Sequence, residues 1–146
     1  MKIRIMTMDD YEAVYALWMM CAGMGLNSLD DSKDGIGKFL ERNPDTCFVA
    51  VKENGIAGAV MAGNDGRRGY IYHVAVNPDS RKQGIASRLV EKALNSLKKC
   101  GISKVALVVF SRNEGGNAFW EKMGFTVRED LVYRNKTLME MVRIDT

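Results

Sequence analysis

A polar loop leads into a long amphipathic helix in the middle of the chain, within residues 74–94 (VAVNPDSRKQGIASRLVEKAL). The loop and the first helical turn carry the pattern Arg81-x-x-Gly84-x-Ala86. Small residues let a ligand approach the backbone, and the unpaired N–H groups at a helix N-terminus attract an anion. Arg81 and Lys82 add positive charge at the same place. The chemistry that this combination favours is binding of a pyrophosphate group.

A plain strand-to-helix turn beside a basic cluster would show the same residue types. The segment is not a P-loop, because the pattern GxxxxGK[ST] is absent from the chain. It is not a dinucleotide-binding GxGxxG loop either, since the G-x-G pairs, Gly23/Gly25 and Gly35/Gly37, follow a helix rather than a strand. On this segment alone, phosphate binding and a structural turn both stay open.

Tyr72 and His73, just before the loop, are candidates for proton transfer. His73 is the only histidine of the chain, which excludes a catalytic or metal site that needs two imidazoles. An unperturbed imidazole has a pKa of about 6.5 and can accept a proton near neutral pH. A histidine packed by its neighbours is the structural alternative. Because side chains alternate along a strand, we expect these two on opposite faces and at most one of them in a cleft.

The surrounding chain alternates between strand-like and helix-like patterns. Apolar residues at three- and four-residue spacing indicate helices that bury one face, and Asn-Gly between two apolar runs is typical of a hairpin turn. Strands are expected at residues 2–6, 46–52, 56–63, 69–76 and 103–110, with two more between Phe125 and Ile144. Helices are expected at 11–21, in a short stretch ending near Arg42, at 85–99 and at 117–123. This order, a meander followed by β-α-β units, indicates an α/β sheet with helices on both faces.

Composition limits the class of protein. The 146 residues, 47% of them hydrophobic, fit one domain over residues 1–146. No apolar run reaches the roughly 20 residues of a membrane helix, and the N-terminal sequence lacks the apolar core of a signal peptide, so we expect a cytoplasmic protein with no membrane partner. The three cysteines lack zinc-ligand spacing, and the net charge of +3 is dispersed. We therefore expect no metal and no nucleic-acid partner.

Taken together, these features resemble the GNAT superfamily of acetyl-CoA-dependent N-acetyltransferases. The signature of that family, Arg/Gln-x-x-Gly-x-Gly/Ala at the start of a long helix, matches Arg81, Gly84 and Ala86. A strand ending in V-x-V-x-P precedes it, as at residues 74–78. Three later features follow in the family's order: Asn113, Phe119-Trp120 and Gly124-Phe125. Within the family, the chain looks most like small bacterial N-acetyltransferases of the ribosomal-protein-acetylating type.

The resemblance implies a fold and a co-substrate. The implied GNAT fold has a mixed, mostly antiparallel sheet of about seven strands, with splayed central strands and helices on both faces. Acetyl-CoA is the implied co-substrate, with its pantetheine arm in the gap between the strands at 72–76 and 104–110 and with no metal. The implied CoA-binding residues are Val74, Ala75, Val76, Arg81, Lys82, Gln83, Gly84, Ile85, Ala86, Ser87, Asn113, Phe119 and Trp120.

The implied reaction is direct attack of a neutral amine on the acetyl thioester in a ternary complex. His73 and Tyr72 are the catalytic candidates, with His73 as the better base. Many relatives have a tyrosine where this chain has Trp120, and an indole N–H is not an acid at neutral pH. The donor of a proton to the leaving thiolate therefore stays open between another tyrosine, such as Tyr133, and solvent, and the thiolate could also leave without one.

The acceptor side is less defined. The resemblance implies an acceptor site between the first two helices and the last hairpin. There the cluster of Asp30, Asp31 and Asp34 either attracts a cationic amine or forms a solvated loop. The implied acceptor is a small-molecule or peptide amine, and a homodimer through the C-terminal strands is compatible with the resemblance. A non-catalytic CoA-binding or regulatory module of the same fold is the alternative function.

Overall fold

The computed structural model describes residues 1–144, which form a five-stranded sheet. The strands are β1 (Lys2–Ile5), β2 (Phe48–Lys52), β3 (Gly55–Asn64), β4 (Gly69–Val76) and β5 (Val105–Ala106). They lie side by side in chain order, and all neighbours are antiparallel except β4 and β5, which run parallel. The predicted mixed, mostly antiparallel sheet is confirmed, but with five strands among the described residues rather than about seven.

Helices cover both faces of this sheet. They are α1 (Tyr11–Met20), α2 (Lys33–Arg42), α3 (Ile85–Lys99) and α4 (Glu114–Lys122). Val14, Leu17 and Trp18 of α1 are fully buried in one core, which also contains apolar residues of α2. The other core contains the buried face of α3, and the aromatic residues of α4 pack against it. The predicted layering is thus confirmed, and the sheet separates an α1/α2 face from an α3/α4 face.

Strands β4 and β5 are neighbours over only two residue pairs, Gly69↔Val105 and Tyr70↔Ala106. The predicted strand at 103–110 is therefore much shorter as a paired strand, because its apolar pattern specified burial but not the extent of pairing. From Ile71 to Val76, β4 has no strand partner on this side among the described residues. The two central strands are splayed, as the resemblance implied.

The two strands predicted between Phe125 and Ile144 do not form in the described part of the chain, so that prediction was wrong. An isolated bridge joins Asn27 to Arg143, and side chains such as Val132 and Leu138 are 76% and 88% exposed. An apolar pattern can indicate which face of a strand is buried, but it does not provide the neighbouring strand with which to pair. The short β5 gives this segment no long edge to extend.

Three further observations bear on partners. Within residues 1–144, no helix combines the length and apolarity needed to cross a bilayer. The same residues contain no group of three or more histidine, cysteine or acidic side chains placed to hold a metal ion. Cys21 and Cys47 are buried and Cys100 is exposed, and all three are free thiols.

Candidate active site

The gap between β4 and β5 exposes main-chain hydrogen-bonding groups. Asn77 N donates to Ala57 O at 2.7 Å, which makes this a hydrogen-bonded pair of the antiparallel ladder. Such pairs alternate with non-bonded pairs, so the N–H and C=O groups of Val74 and Val76 point away from β3. Those of Val74 face the open gap, where an extended ligand could pair with them as a strand would, whereas Val76 O also accepts from Cys21 Sγ at 3.5 Å and from Arg81 Nε at 3.4 Å.

The loop before α3 presents unpaired amides at the end of this gap. Gly84, at the N-cap position, has a φ of 76° and provides no side-chain cap, and the preceding Lys82 has a φ of 63°. The first hydrogen bond of the helix runs from Arg88 N to Gly84 O. Across the described chain, the main-chain N–H groups of Ile85, Ala86 and Ser87 have no protein acceptor. Three free donors at the positive end of a 15-residue helix form an anion-binding arrangement.

Space in front of these amides is open. A Cβ placed on Gly84 would meet no atom within 4 Å. Gln83 and Gly84 are exposed, whereas Ala86 and Ser87 are half-buried. The turn at Gly84, which with the amides of residues 85–87 is called the cradle below, is thus accessible from solvent.

Two basic side chains hold the loop and the end of the gap. Lys52 Nζ of β2 donates to Gln83 Oε1 at 2.6 Å and to Ser80 Oγ at 3.3 Å. Arg81 Nε donates to Val76 O at 3.4 Å, so its side chain lies across the end of β4. The guanidinium stands where the gap meets the loop and raises the positive potential there.

A β-bulge changes the direction of side chains on β4. Met61 of β3 pairs with His73, and the next residue, Ala62, pairs with Ile71, so Tyr72 is an extra residue. A bulge interrupts the strict alternation of a strand. Our prediction that Tyr72 and His73 lie on opposite faces was therefore wrong. Both side chains stand on the α1/α2 face.

Ring contacts locate these two side chains. The ring of Tyr72 lies 4.6 Å from that of Tyr70 and 5.5 Å from that of Phe39 in α2. The imidazole of His73 lies 5.0 Å from the indole of Trp18 in α1. Tyr72 is 55% exposed, whereas the side chain of His73 is 11% exposed. Tyr72 is therefore the one that reaches solvent at the point where β4 and β5 part.

The two ring nitrogens of His73 have different surroundings. Nε2 lies 2.7 Å from Oδ1 of Asp31, a carboxylate that is itself buried. Because a carboxylate only accepts, Nε2 carries the hydrogen of this bond. Nδ1 is buried, and within residues 1–144 it has no hydrogen-bond partner. Neither nitrogen faces the gap, and the predicted role of His73 as a base stays a prediction.

The environment of the Tyr72 hydroxyl favours its protonated form. Partial burial is the largest cause that raises the pKa of Tyr72 above its ordinary value of 10, and the negative charge of Asp30 raises it further. A phenolate is disfavoured near another negative charge. The side chain is thus a neutral hydroxyl, a hydrogen-bond donor, over the physiological pH range.

The remaining predicted residues lie on α4. Asn113 caps this helix, since its side chain accepts from Gly116 N at 2.9 Å, which also explains why the helix begins at Glu114 rather than at 117. The rings of Phe119 and Trp120 lie 4.9 Å apart and pack against the α3/α4 core. The structure therefore gives each of the three a packing or capping contact, and their predicted role in CoA binding stays a prediction.

The sequence pattern did not indicate Lys52 as a site residue, and it placed Asp31 only within an acidic cluster. Asp30 and Asp34 are exposed, but Asp31 is 4% exposed and bonded to His73. Lys52 ends an ordinary β-strand, and no local signal marks it as a partner of Gln83, 31 residues later. Both contacts are long-range, so neither is visible in local spacing.

Known proteins resemble the chain in sequence over most of its length. Residues 11–125 match the model of the Acetyltransferase (GNAT) family. An acetyltransferase of Pectobacterium atrosepticum is 36% identical over 140 residues, which cover 96% of this chain and 97% of that protein. An acetyltransferase of Sodalis glossinidius is 32% identical over 140 residues, with the same coverage of both chains.

Solved structures share the fold at lower sequence identity. Ard1 of Thermoplasma volcanium has a TM-score of 0.75 at 22% identity, covering 87% of this chain and 83% of that one. The Escherichia coli ribosomal-protein-S18-alanine N-acetyltransferase has a TM-score of 0.70 at 21% identity, covering 84% and 76%. A Mycobacterium tuberculosis protein solved in complex with CoA has a TM-score of 0.71 at 21% identity, covering 88% and 74%.

Proposed function

Because the chain belongs to the GNAT acetyltransferase family, we propose that it is an N-acetyltransferase that moves an acetyl group from acetyl-CoA to a primary amine of a small molecule or peptide. One arrangement carries this proposal: the open gap beside β4 ends at the three unpaired amides of Ile85, Ala86 and Ser87. A ligand with an extended, amide-containing arm and a pyrophosphate fits both parts at once. The M. tuberculosis structural relative with bound CoA supports the choice of ligand.

Each part of the ligand has a proposed set of contacts. The amides of residues 83–87 hold the pyrophosphate, and Arg81 and Lys82 balance its charge. The outward-facing main chain of Val74 and Val76, on either side of Ala75, pairs with the pantetheine arm. Asn113 bonds to that arm through the amide nitrogen that its capping contact leaves free, and Phe119 and Trp120 line the thioester end. No metal takes part in this proposal.

Acetyl-CoA supplies an activated acyl group, whose carbonyl carbon forms a bond to the amine nitrogen as the bond to sulfur breaks. The protein contributes position and charge. The N–H of Val74, which points into the gap, donates to the oxygen on which negative charge develops. Holding both substrates in one cleft replaces a bimolecular encounter by an intramolecular one.

We propose that Tyr72 is the proton-handling side chain at this site. It stands where β4 and β5 part, is 55% exposed, and keeps its hydroxyl proton at neutral pH. It can therefore donate that proton to the leaving thiolate, the role for which the indole of Trp120 is unsuited. The amine loses its own proton to solvent or a water chain, and His73 takes this role only if its Nδ1 becomes accessible.

We further propose a cytoplasmic location and a homodimer. Three free thiols suit a reducing compartment. Six side chains between Val127 and Met139, led by Leu138 at 88%, are apolar and more than 60% exposed, and a second copy of the chain would cover them: Val127, Leu131, Val132, Tyr133, Leu138 and Met139. Sedimentation of the purified protein tests the dimer, since a monomer at micromolar concentration contradicts it.

The test of the proposed function has two measurements. Calorimetry should detect binding of CoA to the purified protein, and a thiol-reactive dye should report release of free CoA from acetyl-CoA when a panel of amines is supplied. Binding and turnover with any amine support the transferase. Binding without turnover over a broad panel would favour the alternative, a non-catalytic CoA-binding module, and absence of binding would reject both.

A further inference from the structure

The loop that joins α1 to α2, residues 21–32, carries a buried carboxylate. Asp31 is 4% exposed although its neighbour Asp30 is exposed. An isolated ionised carboxylate is costly to bury, so its contacts must compensate for the lost hydration. These contacts identify what the loop is attached to.

Asp31 is bonded on both carboxylate oxygens and on its main chain. Oδ1 accepts from Nε2 of His73 at 2.7 Å, and Oδ2 accepts from the main-chain N of Asn27 at 2.8 Å. The main-chain oxygen of Asp31 accepts from the hydroxyl of Tyr11 in α1, also at 2.8 Å. One residue therefore joins the loop to itself, to α1 and to the bulge of β4.

The outer side of the same loop holds the C-terminal segment. Ser28 N donates to Val142 O at 2.9 Å, and Val142 N donates to Ser28 Oγ at 2.8 Å. Ile144 N donates to Leu26 O at 3.0 Å. The position of residues 142–144 thus depends on the position of the loop.

The loop and the C-terminal segment border an open groove. Its volume is about 530 Å³, and it is lined by Ser28, Thr137, Glu140, Met141 and Val142. Asp30, next to Asp31 in the loop, is exposed, and its negative charge contributes to the raised pKa of Tyr72. The loop thus contributes Ser28 to the groove and Asp31 to the bond with His73, the chain neighbour of Tyr72.

We propose that His73 is a positioning residue: by bonding to Asp31 it fixes the α1–α2 loop on the bulge of β4 and so shapes the amine-binding wall. The proposal rests on the proposed function for the identity of the ligand. Its physical basis is that the backbones of the two bonded partners, His73 and the loop, are held differently. His73 belongs to a paired strand, whereas the loop contains Gly23 and Gly25 at φ values of 68° and 72° and forms no strand or helix.

The burial of the imidazole supports positioning rather than direct proton transfer. Nε2 is occupied by Asp31, and Nδ1 is enclosed beside Trp18. A base must lie within hydrogen-bond reach of the proton that it takes. A positioning residue needs only the bond to Asp31, which is already formed in the absence of substrates.

The decisive variants keep or remove the Nε2 donor. His73→Gln places an amide N–H near the position of Nε2, and His73→Leu removes the donor while keeping an apolar side chain. We expect His73→Leu to increase amide hydrogen exchange at residues 22–32 and 140–144 by at least about tenfold. Exchange in α3 should stay unchanged, and His73→Gln should restore most of the protection.

The kinetic arm uses the amine identified by the thiol-release screen. In His73→Leu the KM for that amine should rise by about tenfold or more while kcat falls by less. The Kd for CoA should stay within about twofold, because the loop contacts the CoA site through Cys21, which directly follows α1 and is not the residue bonded to His73. If His73 were instead the base, both His73→Leu and His73→Gln would lower kcat and remove one ionisation from the pH–rate profile. The KM for the amine would then stay unchanged.

Two controls separate a local effect from poor folding. Asp31→Ala removes both acceptor oxygens and should reproduce the exchange and KM effects if His73→Leu does not fold. Asp45→Asn, at an exposed aspartate outside that acidic cluster, should change neither. If the parent protein binds no CoA, the proposed function fails. If it binds and turns over but loop exchange is the same in parent and His73→Leu, the positioning role alone is overturned.

Discussion

Two regions of this molecule surround the point where β4 and β5 part, and they are built differently. The gap region, comprising the main chain of β4, β5 and residues 81–88, presents peptide groups: the amides of α3 and the outward-facing peptide units of β4. The loop region, comprising residues 21–32, Tyr72 and residues 137–144, is assembled by side chains such as Asp31 and His73.

The difference explains why a local sequence motif indicates the gap region, whereas no motif indicates the contacts of the loop region. Main-chain donors have the same chemistry in every residue, so a site made from them needs only a backbone conformation, here provided by small residues and a helix start. A site made from side chains can change with every substitution. Under the proposed function, the loop region is therefore the part that would select the acceptor.

The largest expected effect belongs to Gly84→Glu. A carboxylate in front of the unpaired amides repels the pyrophosphate, and a side chain at a φ of 76° strains the turn. Affinity for CoA should fall by at least about a hundredfold, or about 2.7 kcal/mol, by calorimetry. Gly66→Glu, at another positive-φ glycine beside the far end of β4, should leave affinity unchanged. Equal affinities in both variants would place the pyrophosphate elsewhere.

The next effect tests the border between the two regions. Tyr72→Phe removes the proposed proton donor and keeps the ring contacts with Tyr70 and Phe39. We expect kcat to fall by about tenfold to a hundredfold. The Kd for CoA should not change, and retention of the parental kcat would exclude Tyr72 from proton transfer.

The pH dependence of kcat is a second test of the role proposed for Tyr72. The pKa of Tyr72 is raised, so its proton is present below that pKa and is lost only as pH rises above 10. Tyr72 should therefore not contribute an ionisation to kcat between about pH 6 and about pH 9. A fall of kcat in this window that disappears in Tyr72→Phe would contradict the raised pKa.

A smaller effect is expected from Lys52→Met, which acts only on the gap region. This change removes the bonds to Gln83 and Ser80 that hold the loop before α3. Because the contact is partly exposed, CoA affinity should weaken by about three- to tenfold, while the KM for the amine stays the same. A larger effect on the amine than on CoA would show that the two regions are not separable.

The smallest effect is expected from Trp120→Tyr. The indole packs against Phe119 and Phe125, and a phenol ring preserves most of that contact. We expect kcat to change by less than about threefold, because Tyr72 already provides a hydroxyl. A much faster enzyme would show that the missing acid is located on α4, and total loss of activity would indicate a packing role specific to the indole.

Local patterns were sufficient for most helices and strands. The bounds of β4 and α3 agree with the prediction to the residue, since each has a clear period and a clear stop at Asn77 or Gly101. The pairing of strands was harder. The strand at 103–110 pairs only over Val105–Ala106, and the two strands after Phe125 do not form in the described part of the chain, because a pattern does not specify its partner.

The sequence by itself determined the α/β layering, the start of α3 at Ile85 and the family to which the chain belongs, because helix and strand periods and the order of motifs are properties of the chain itself. Tertiary structure decided which side chains meet: the bulge that turns Tyr72 and His73 to one face, the bond from His73 to Asp31, and the contact of Lys52 with Gln83. The physical reason is that hydrogen bonds within a turn or helix follow the chain, whereas contacts across 31 or 42 residues depend on how the sheet and its helices pack.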